Sequence, residues 1–350
     1  MSNLFQTETY FQQRFQATAR SRAFRAQTLD EWRFWQQSLR GRIRELQGLH
    51  RLLPTPMNPR ITETVQCDGY RRERVEIDTE PGVTMPFYVL IPDRLTGTAP
   101  AVLAPHGHSS GGKLAVAGIR DASPAVAQTI DQHNYDYGVQ AVRRGYVVFC
   151  PDARGFGERR EWLNARPDQL LESSCRQLAH MALPLGLTVA GMWTWDLIVL
   201  LDYAQTRSEC VSQPIGCIGL SGGGLQTLWL AALDERVACA VISGYFYGVA
   251  DSLLHLAGNC DCNYIPHMWE TADMGDVAAL IAPRPLLIEA ARQDGLNGPR
   301  GIENVLEQYA ITEQAYQLLN TPDRLALDLF DGGHVWHGTA ALDWLDQWLR

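Results

Sequence analysis

Short apolar runs separated by segments of helical character make up the chain from about residue 73 onward. The first two runs, Arg74–Thr79 and Met85–Ile91, mix polar with apolar residues, which is typical of an antiparallel edge of a sheet. The later runs are almost wholly apolar, as strands that helices cover on both faces must be. These later predicted strands are Ala101–Ala104, Val147–Cys150, Ile215–Leu220, Ala238–Ser243, Leu286–Ala290 and Leu325–Phe330.

Helical segments alternate with these strands. Strands that alternate with helices connect parallel neighbours, so the pattern predicts an α/β fold with a mostly parallel, doubly wound sheet. We assign residues 73–350 to this one domain. The predicted helices lie near residues 124–144, 193–206, 222–233, 299–319 and 339–349.

Residues 1–53 have a different pattern, that of an N-terminal helical extension. Thr28 and Glu31 match a capping box, and apolar residues then recur every three to four positions. Residues 54–72, which begin with Pro54 and Pro56, are predicted to be a linker. We expect the apolar stripe of the extension to pack on the main domain or on a second subunit, which would make the protein a homo-oligomer.

Composition and charge narrow the choice of partners. Acidic residues outnumber basic ones by 39 to 30, and no basic run is long enough to follow a phosphate backbone. The first residues lack the basic and apolar regions of a signal peptide, and no stretch approaches the roughly 18 to 20 apolar residues of a spanning helix. We therefore expect a soluble, cytoplasmic protein that binds neither nucleic acid nor membranes.

The strongest chemical signal is the segment Gly219-Leu220-Ser221-Gly222-Gly223. It follows a buried strand and precedes an apolar helix, which is the context of a nucleophile elbow in serine hydrolases with an α/β fold. The turn is so sharp that only small neighbours fit around the serine. Ser221 is therefore the predicted nucleophile, and the backbone amide of Gly222 is a predicted donor to an oxyanion.

A serine hydroxyl needs a general base near neutral pH, and histidine is the usual one. In hydrolases of this kind the base follows the nucleophile and the acid along the chain, which leaves His255, His267, His334 and His337. His334 is preferred because it lies in a glycine-containing loop directly after the last predicted strand. His337 is the alternative on loop position alone, and the other two lie in a different segment.

The acid that supports the base has three candidates. Asp294 lies in the loop after the buried run Leu286–Ala290, at the end of the sheet where the other two groups are expected. Glu289, inside the end of that strand, and Asp251, after the preceding strand, are the competitors. We prefer Asp294 because of its loop position between nucleophile and base, and the other two remain open.

A second oxyanion donor is expected from the loop after an early central strand. The run Ala101–Ala104 leads into Pro105-His106-Gly107-His108, whose glycine lets the backbone approach a ligand closely. We assign the second donor to the backbone amide of His108. The side chains of His106 and His108 are expected to orient the loop, because a base at this position would break the usual chain order.

Cysteine and histidine meet in one further pattern. His255, Cys260, Cys262 and His267 have the spacing H-x4-C-x-C-x4-H, which in principle could wrap a zinc ion. One intervening residue makes it hard for both thiolates to reach the same tetrahedral ion. We therefore interpret the cysteines as loop residues, and we expect no metal and no cofactor.

Four further side chains have a structural and a functional interpretation. Arg154 follows a predicted strand and is expected to pair with a carboxylate inside a fixed loop, with contact to an acidic substrate as the alternative. Trp193, Trp195 and Trp336 could line a substrate pocket or belong to the core.

The chain contains the motifs His106–His108, Pro151–Glu158, Gly219–Gly223, Cys260–Pro266, Ile281–Leu286 and Gly332–His334. Together they resemble the dienelactone-hydrolase-like and acetyl-xylan-esterase-like branch of the α/β-hydrolase superfamily, over about residues 73–350. The resemblance implies an α/β-hydrolase fold, a triad of Ser221, Asp294 and His334, no metal, and a small-molecule or carbohydrate ester as substrate. True dienelactone hydrolases use a cysteine nucleophile, so dienelactone itself is not expected.

The predicted function is therefore hydrolysis of carboxylic esters by a serine hydrolase through an acyl-enzyme. Two alternatives stay open. One is a peptidase or another acyl hydrolase on the same fold. The other is a binding protein that has kept the fold without catalysis, since a fold does not by itself establish a function.

Overall fold

One mixed sheet runs through the residues that the computed structural model describes, which are 7–161, 166, 168–210, 213–256 and 258–350. Its strands are β1 Arg60–Gln66, β2 Tyr70–Glu80, β3 Val83–Pro92, β4 Ala101–Leu103, β5 Val147–Pro151, β6 Ile215–Leu220, β7 Val237–Ser243, β8 Leu286–Ala291 and β9 Leu325–Phe330. They lie in the order β1-β2-β3-β5-β4-β6-β7-β8-β9.

The pairing of the strands changes from antiparallel to parallel at β5. Strands β1, β2 and β3 pair antiparallel, and β3 also pairs antiparallel with β5. From β5 to β9 every described pair is parallel. This confirms the predicted α/β fold, with its antiparallel edge and mostly parallel centre.

Alternate residues of the central strands feed two separate cores, one on each face of the sheet. Leu103 and Phe149 belong to the larger core, whereas their neighbours Val102 and Val148 belong to the smaller one. Because side chains alternate across a strand, this division explains why the central strands are apolar at every position.

Helices cover both faces. Side chains of α2, α7 and α8 join the larger core, and side chains of α4, α5 and α12 join the smaller one. The helices are α1 Glu8–Thr18, α2 Leu29–Leu46, α3 Lys113–Val116, α4 Pro124–His133, α5 Tyr137–Arg143, α6 Cys175–Ala182, α7 Val189–Thr206, α8 Gly222–Leu233, α9 Met268–Thr271, α10 Met274–Ala279, α11 Ile302–Leu318 and α12 Ala341–Leu349.

Two segments differ from the sequence-based prediction. The predicted linker 54–72 contains all of β1 and the start of β2, so that assignment is wrong. The predicted helix 124–144 is two helices, because Asn134 ends α4 with a left-handed backbone at φ 52°. Asparagine tolerates this conformation better than most residues do.

The N-terminal extension packs against the main sheet domain; its residues 1–6 lie outside the described residues. Thr28 and Glu31 form the predicted capping box at the start of α2. Leu39 and Ile43 are fully buried in the larger core, together with side chains of α7 and α8. Arg20 also forms an ion pair with Asp276 at 2.8 Å. The apolar face of α2 is therefore used within the chain, and the predicted homo-oligomer stays a prediction.

Among the described residues, no single helix combines the length and apolar character that a membrane span requires. One bent pair of helical segments, Cys175–Leu185 with Val189–Thr206, has the required length and composition when the two are taken together.

We expect Ile43→Ala to lower the free energy of unfolding by about 2–5 kcal/mol, because it leaves a cavity where α2 meets the core. Phe34→Ala is the matched control, since Phe34 lies on the same helix and is 75% exposed. Urea unfolding of both variants measures the difference. Equal midpoints for the two variants would contradict docking of the extension.

Candidate active site

The turn between β6 and α8 holds Ser221 in a backbone conformation that side-chain-bearing residues rarely adopt, with φ 58° and ψ −119°. Its neighbours explain how the turn is possible. A Cβ atom on Gly219 would lie 2.4 Å from the Gly223 carbonyl oxygen, and one on Gly223 would lie 2.3 Å from the Pro105 oxygen. Backbone strain at a residue with a reactive side chain is typical of functional sites. The predicted elbow geometry is thus present in the structure.

Asp294 and His334, predicted from separate loops, lie side by side. His334 Nδ1 is 2.6 Å from Asp294 Oδ2, and the carboxylate is almost fully buried while the imidazole is 29% exposed. The other oxygen of Asp294 accepts a hydrogen bond from the Leu296 amide at 2.9 Å. This second bond fixes the carboxylate, so that it can hold the imidazole in one orientation and one tautomer.

The His334 ring lies against the backbone next to the nucleophile. A Cβ atom on Gly244 would come within 3.0 Å of His334 Cε1, and Gly244 has φ 57°. The backbone carbonyl of the preceding residue, Ser243, accepts a hydrogen bond from the Ser221 amide at 2.9 Å. Within the described part of the chain, no hydrogen bond joins Ser221 Oγ to His334. Such bonds often tighten only when substrate binds.

The loops that carry the acid and the histidine are bonded to each other. Arg292 and Gln293 donate their backbone amides to the carbonyls of Phe330 and Gly332, each at 3.0 Å. On the other side His133 Nδ1 contacts the His334 carbonyl at 2.9 Å. The separation between the acid and the imidazole is therefore set by main-chain hydrogen bonds as well as by the two side chains.

The alternative base and one alternative acid have other partners. His337 Nδ1 lies 2.6 Å from Asp328 and its ring stacks on Phe330 at 4.2 Å. Asp251 forms an ion pair with Arg300. The structure places neither of them against His334.

Glu289 is fully buried in β8 and is also absent from the contacts of His334 in the described chain. One carboxyl oxygen accepts a hydrogen bond from the Gly338 amide at 2.9 Å. The pKa of Glu289 is raised to about 7, mainly by burial. The negative charge of nearby Asp328 acts in the same direction, whereas the hydrogen bond from the Gly338 amide and the proximity of His337 oppose it. The group is thus a buried acid beside Asp328 and His337 rather than a partner of His334.

Hydrogen bonds fix every carbonyl of the loop from Pro105 to His108. Tyr137 donates to the Pro105 oxygen at 2.6 Å, and Tyr135 donates to the His108 oxygen at 3.2 Å. Gln226, on the helix after the elbow, donates to the His106 oxygen at 2.7 Å. These three side chains were not predicted. A sequence signal for them was weak, since their partners are backbone atoms of another segment.

The Gly107 carbonyl accepts two hydrogen bonds from side chains of its own loop. The donors are Ser110 Oγ and His106 Nδ1, both at 2.8 Å. Since the C=O and N–H of a trans peptide point in opposite directions, these bonds turn the His108 amide away from Ser110. The loop also passes very close to the elbow, because a Cβ atom on Gly107 would lie 3.0 Å from the Gly222 nitrogen.

His106 joins this loop to the one after β5. Its Nε2 accepts a hydrogen bond from the Ala153 amide at 3.1 Å, so the proton is on Nδ1. Complete burial lowers the pKa of His106 to about 4, and the imidazole is neutral at physiological pH. This agrees with the prediction that His106 orients the loop.

Arg154 is held in a buried ion-pair network. Its guanidinium pairs with both oxygens of Asp196, at 3.0 and 2.8 Å, and with Glu80 at 2.8 Å. Arg159 binds the same Asp196 at 2.7 Å. The structure therefore supports the fixed-loop interpretation of Arg154 and not the contact with an acidic substrate.

The tryptophans are mainly core residues. Trp193 and Trp336 are 2% and 1% exposed, so the hypothesis that they line a substrate pocket is wrong. Trp195 is half-buried and donates its indole N–H to the Thr79 carbonyl at 2.8 Å.

The four residues with the H-x4-C-x-C-x4-H spacing do not come together as one group in the structure. His267 lies at the surface beside Glu270, and His255 is also largely exposed. Cys260 and Cys262 instead lie together with two residues from other segments, Cys175 and His108. A hydrogen bond from Cys175 lowers the pKa of the Cys260 thiol. The interpretation of these cysteines as ordinary loop residues is therefore incomplete.

The order of the strands and the position of Ser221, Asp294 and His334 at the carboxyl ends of parallel strands define the α/β-hydrolase fold. A family model described as "Abhydrolase family" matches residues 5–327, and the chain belongs to this family.

The chain is similar to several known proteins. "Putative hydrolase YtaP" of Bacillus subtilis (strain 168) is 28% identical over 252 residues, which are 71% of this chain and 79% of that protein. A "putative acetyl xylan esterase" of Bacteroides fragilis NCTC 9343 has a TM-score of 0.76 at 21% identity and covers 94% of this chain and 83% of its own. A glucuronoyl esterase from Solibacter usitatus has a TM-score of 0.66 at 15% identity, with 95% and 99% covered. The two solved structures share the fold.

Glu289→Gln is expected to change the pH dependence of stability. The carboxyl binds its proton more tightly in the folded protein, so its contribution is present below about pH 4.5 and is lost as the pH rises through about 7. Over that interval wild type should lose stability relative to Glu289→Gln, by about 1.4 kcal/mol for each tenfold difference in proton affinity.

Urea unfolding at pH 5 and pH 8 measures this change. Glu63→Gln, on the exposed edge strand β1, removes the same charge at the surface and serves as control. An equal response of the two variants would show that the Glu289 proton does not contribute.

Proposed function

We propose that this chain is a serine esterase in which Ser221, His334 and Asp294 hydrolyse carboxylic esters through an acyl-enzyme. The observation that supports this best is the 2.6 Å contact between Asp294 and His334, with the imidazole lying against the backbone beside the strained Ser221. An imidazole held by a buried carboxylate at a strained serine is the arrangement that activates a weak hydroxyl nucleophile.

Acylation begins when Ser221 Oγ attacks the ester carbonyl carbon. His334 Nε2 removes the serine proton during the attack, and Asp294 stabilises the imidazolium that forms. The carbonyl oxygen becomes an oxyanion, which the amides of Gly222 and His108 bind. The C–O bond to the alcohol then breaks, and His334 gives its proton to the departing alcohol oxygen.

Deacylation repeats these steps with water as the nucleophile. His334 takes a proton from water, the hydroxide oxygen bonds to the acyl carbon, and the proton returns to Ser221 Oγ as the acid leaves. In the described chain neither the Gly222 amide nor the His108 amide donates to another group, which keeps both available for the oxyanion. Their positions are fixed before the substrate binds, as electrostatic stabilisation of a transition state requires.

The relatives support a choice of substrate class. Solved structures with this fold include the "putative acetyl xylan esterase" and the glucuronoyl esterase described above. We therefore propose an ester of a carbohydrate or a small molecule as substrate. A panel of acetyl, longer acyl, feruloyl, glucuronoyl and lactone esters, with peptide anilides alongside, tests the class. Turnover of the anilides without turnover of any ester would replace the esterase by a peptidase.

Ser221→Ala should lower kcat on the best ester by about 10⁶-fold, because the acyl-enzyme cannot form. His334→Ala should have an effect of similar size, since the two groups act as a unit. His337→Ala is the matched control and should keep kcat close to that of wild type, because His337 is bonded to Asp328. Steady-state kinetics on the purified variants measures all three.

A serine-reactive phosphonate gives an independent check. It should label wild type and His337→Ala at Ser221, and it should not label Ser221→Ala. Full esterase activity in Ser221→Ala would falsify the mechanism.

Asp294→Asn should lower kcat by about 10⁴-fold, because an amide stabilises the wrong imidazole tautomer. Glu289→Gln is the control among the three candidate acids, and its kcat at pH 8 should stay within a few fold of wild type. A larger loss in Glu289→Gln than in Asp294→Asn would move the role of the acid to β8.

A further inference from the structure

Four side chains with metal-binding atoms meet beside the loop that follows β4. His108 comes from that loop, Cys175 from the first turn of α6, and Cys260 and Cys262 from the segment between β7 and α9. Their ligand atoms all lie within 4.8 Å of one another. Cys262 Sγ lies 3.4 Å from His108 Nε2.

This spacing is close to that of a tetrahedral zinc site. Zinc binds sulfur at about 2.3 Å and imidazole nitrogen at about 2.0–2.1 Å, so neighbouring ligand atoms lie about 3.5–3.8 Å apart. The contact between Cys262 and His108, at 3.4 Å, is about 0.1 Å shorter than this range. Even the outer limit of 4.8 Å requires a contraction of only about 1 Å.

We propose that His108, Cys175, Cys260 and Cys262 bind one zinc ion in a closed, four-coordinate site. Three thiolates and one imidazole form a donor set that favours zinc over magnesium or calcium, which prefer oxygen ligands. Four protein ligands leave no position for water or substrate, so the ion has a structural role. On binding, the thiol protons are released to solvent.

The surroundings of the sulfur atoms support the site. Asn263 donates its amide N–H to the Cys260 carbonyl at 2.9 Å and to Cys262 Sγ at 3.6 Å. The Asn263 oxygen accepts a hydrogen bond from Tyr245 at 2.6 Å, which fixes the orientation of the amide. Outer groups of this kind orient metal ligands and stabilise the negative sulfur.

The local backbone allows both thiolates of the C-x-C pair to reach one ion. A single turn of 3-10 helix at Asp261–Asn263 brings the sulfurs of Cys260 and Cys262 to the same group of ligand atoms. Cys175 and Cys262 are each 1% exposed, so the ion would be shielded from solvent on that side.

Zinc at this position has a consequence for catalysis that rests on the proposed function. It would anchor the side chain of His108, whose backbone amide is the proposed second donor to the oxyanion. Removal of zinc should therefore lower kcat, by up to about 10²-fold. The metal content itself does not depend on whether the chain hydrolyses esters.

The test measures metal in the full-length chain, produced in zinc-containing medium, purified without a metal-binding tag and kept reduced. Elemental analysis should find about one zinc per chain in wild type and less than about one-tenth in Cys175→Ser and Cys260→Ser. Cys67→Ser is the matched control, because Cys67 is a free thiol outside the group, and it should keep the zinc.

Cobalt substitution keeps the test decisive where a variant folds poorly. Chelator-treated wild type reloaded with Co²⁺ should show the absorption of tetrahedral cobalt bound by thiolates, and zinc should displace it. Wild type without zinc and without this cobalt spectrum would overturn the site. So would a folded Cys260→Ser that keeps its zinc, or a disulfide among the three cysteines, detected by mass under reducing purification.

Discussion

Close contact between main-chain segments at the turn around Ser221 is the constraint on which the site depends. Glycines at 219, 223 and 244 let the turn, the Pro105 carbonyl and the His334 ring approach to distances that a Cβ atom would block. The contacts link the ends of β4, β6 and β7 and the loop after β9. A change at any one of these glycines would move a strand end as well as a side chain. The strain at Ser221 persists because the surrounding segments fix it from several sides.

Buried polar groups extend this rigidity to the loops that the sheet does not hold. His106 connects the loop after β4 to the loop after β5 through the Ala153 amide, and it does so as a neutral imidazole. The loop after β5 is in turn held by Arg154 and Asp196, and by Lys113 with Asp152 at 2.6 Å. Such ion pairs gain little net stability, since desolvation offsets their attraction. Their role here is to fix geometry, because breaking one partner would leave a buried charge.

The sequence predicted those parts of the fold and site whose signals are local. Wholly apolar strands and a serine between glycines can be read from neighbouring residues, so the central sheet and the elbow were found. Strand β1 was missed because its residues are nearly all exposed and lack an alternating apolar pattern. The break at Asn134 depends on one left-handed residue. Tyr135, Tyr137 and Gln226 could not be predicted, because they bind backbone carbonyls of a loop that only the folded chain brings near them.

The cysteine cluster is a second case in which spacing along the sequence does not predict which residues meet in the fold. Spacing along the chain pairs Cys260 and Cys262 with the nearby histidines, yet the fold brings them to His108, 154 residues away in sequence from Cys262. His108 thus faces two neighbours: its ring lies against Gly222 on one edge and the thiols on the other. As the proposed oxyanion donor through its backbone amide and a proposed zinc ligand through its side chain, His108 would couple the two proposed sites through one residue. Because that coupling needs no moving part, it would act by keeping the amide in place before substrate arrives, which is the condition for an effective oxyanion donor.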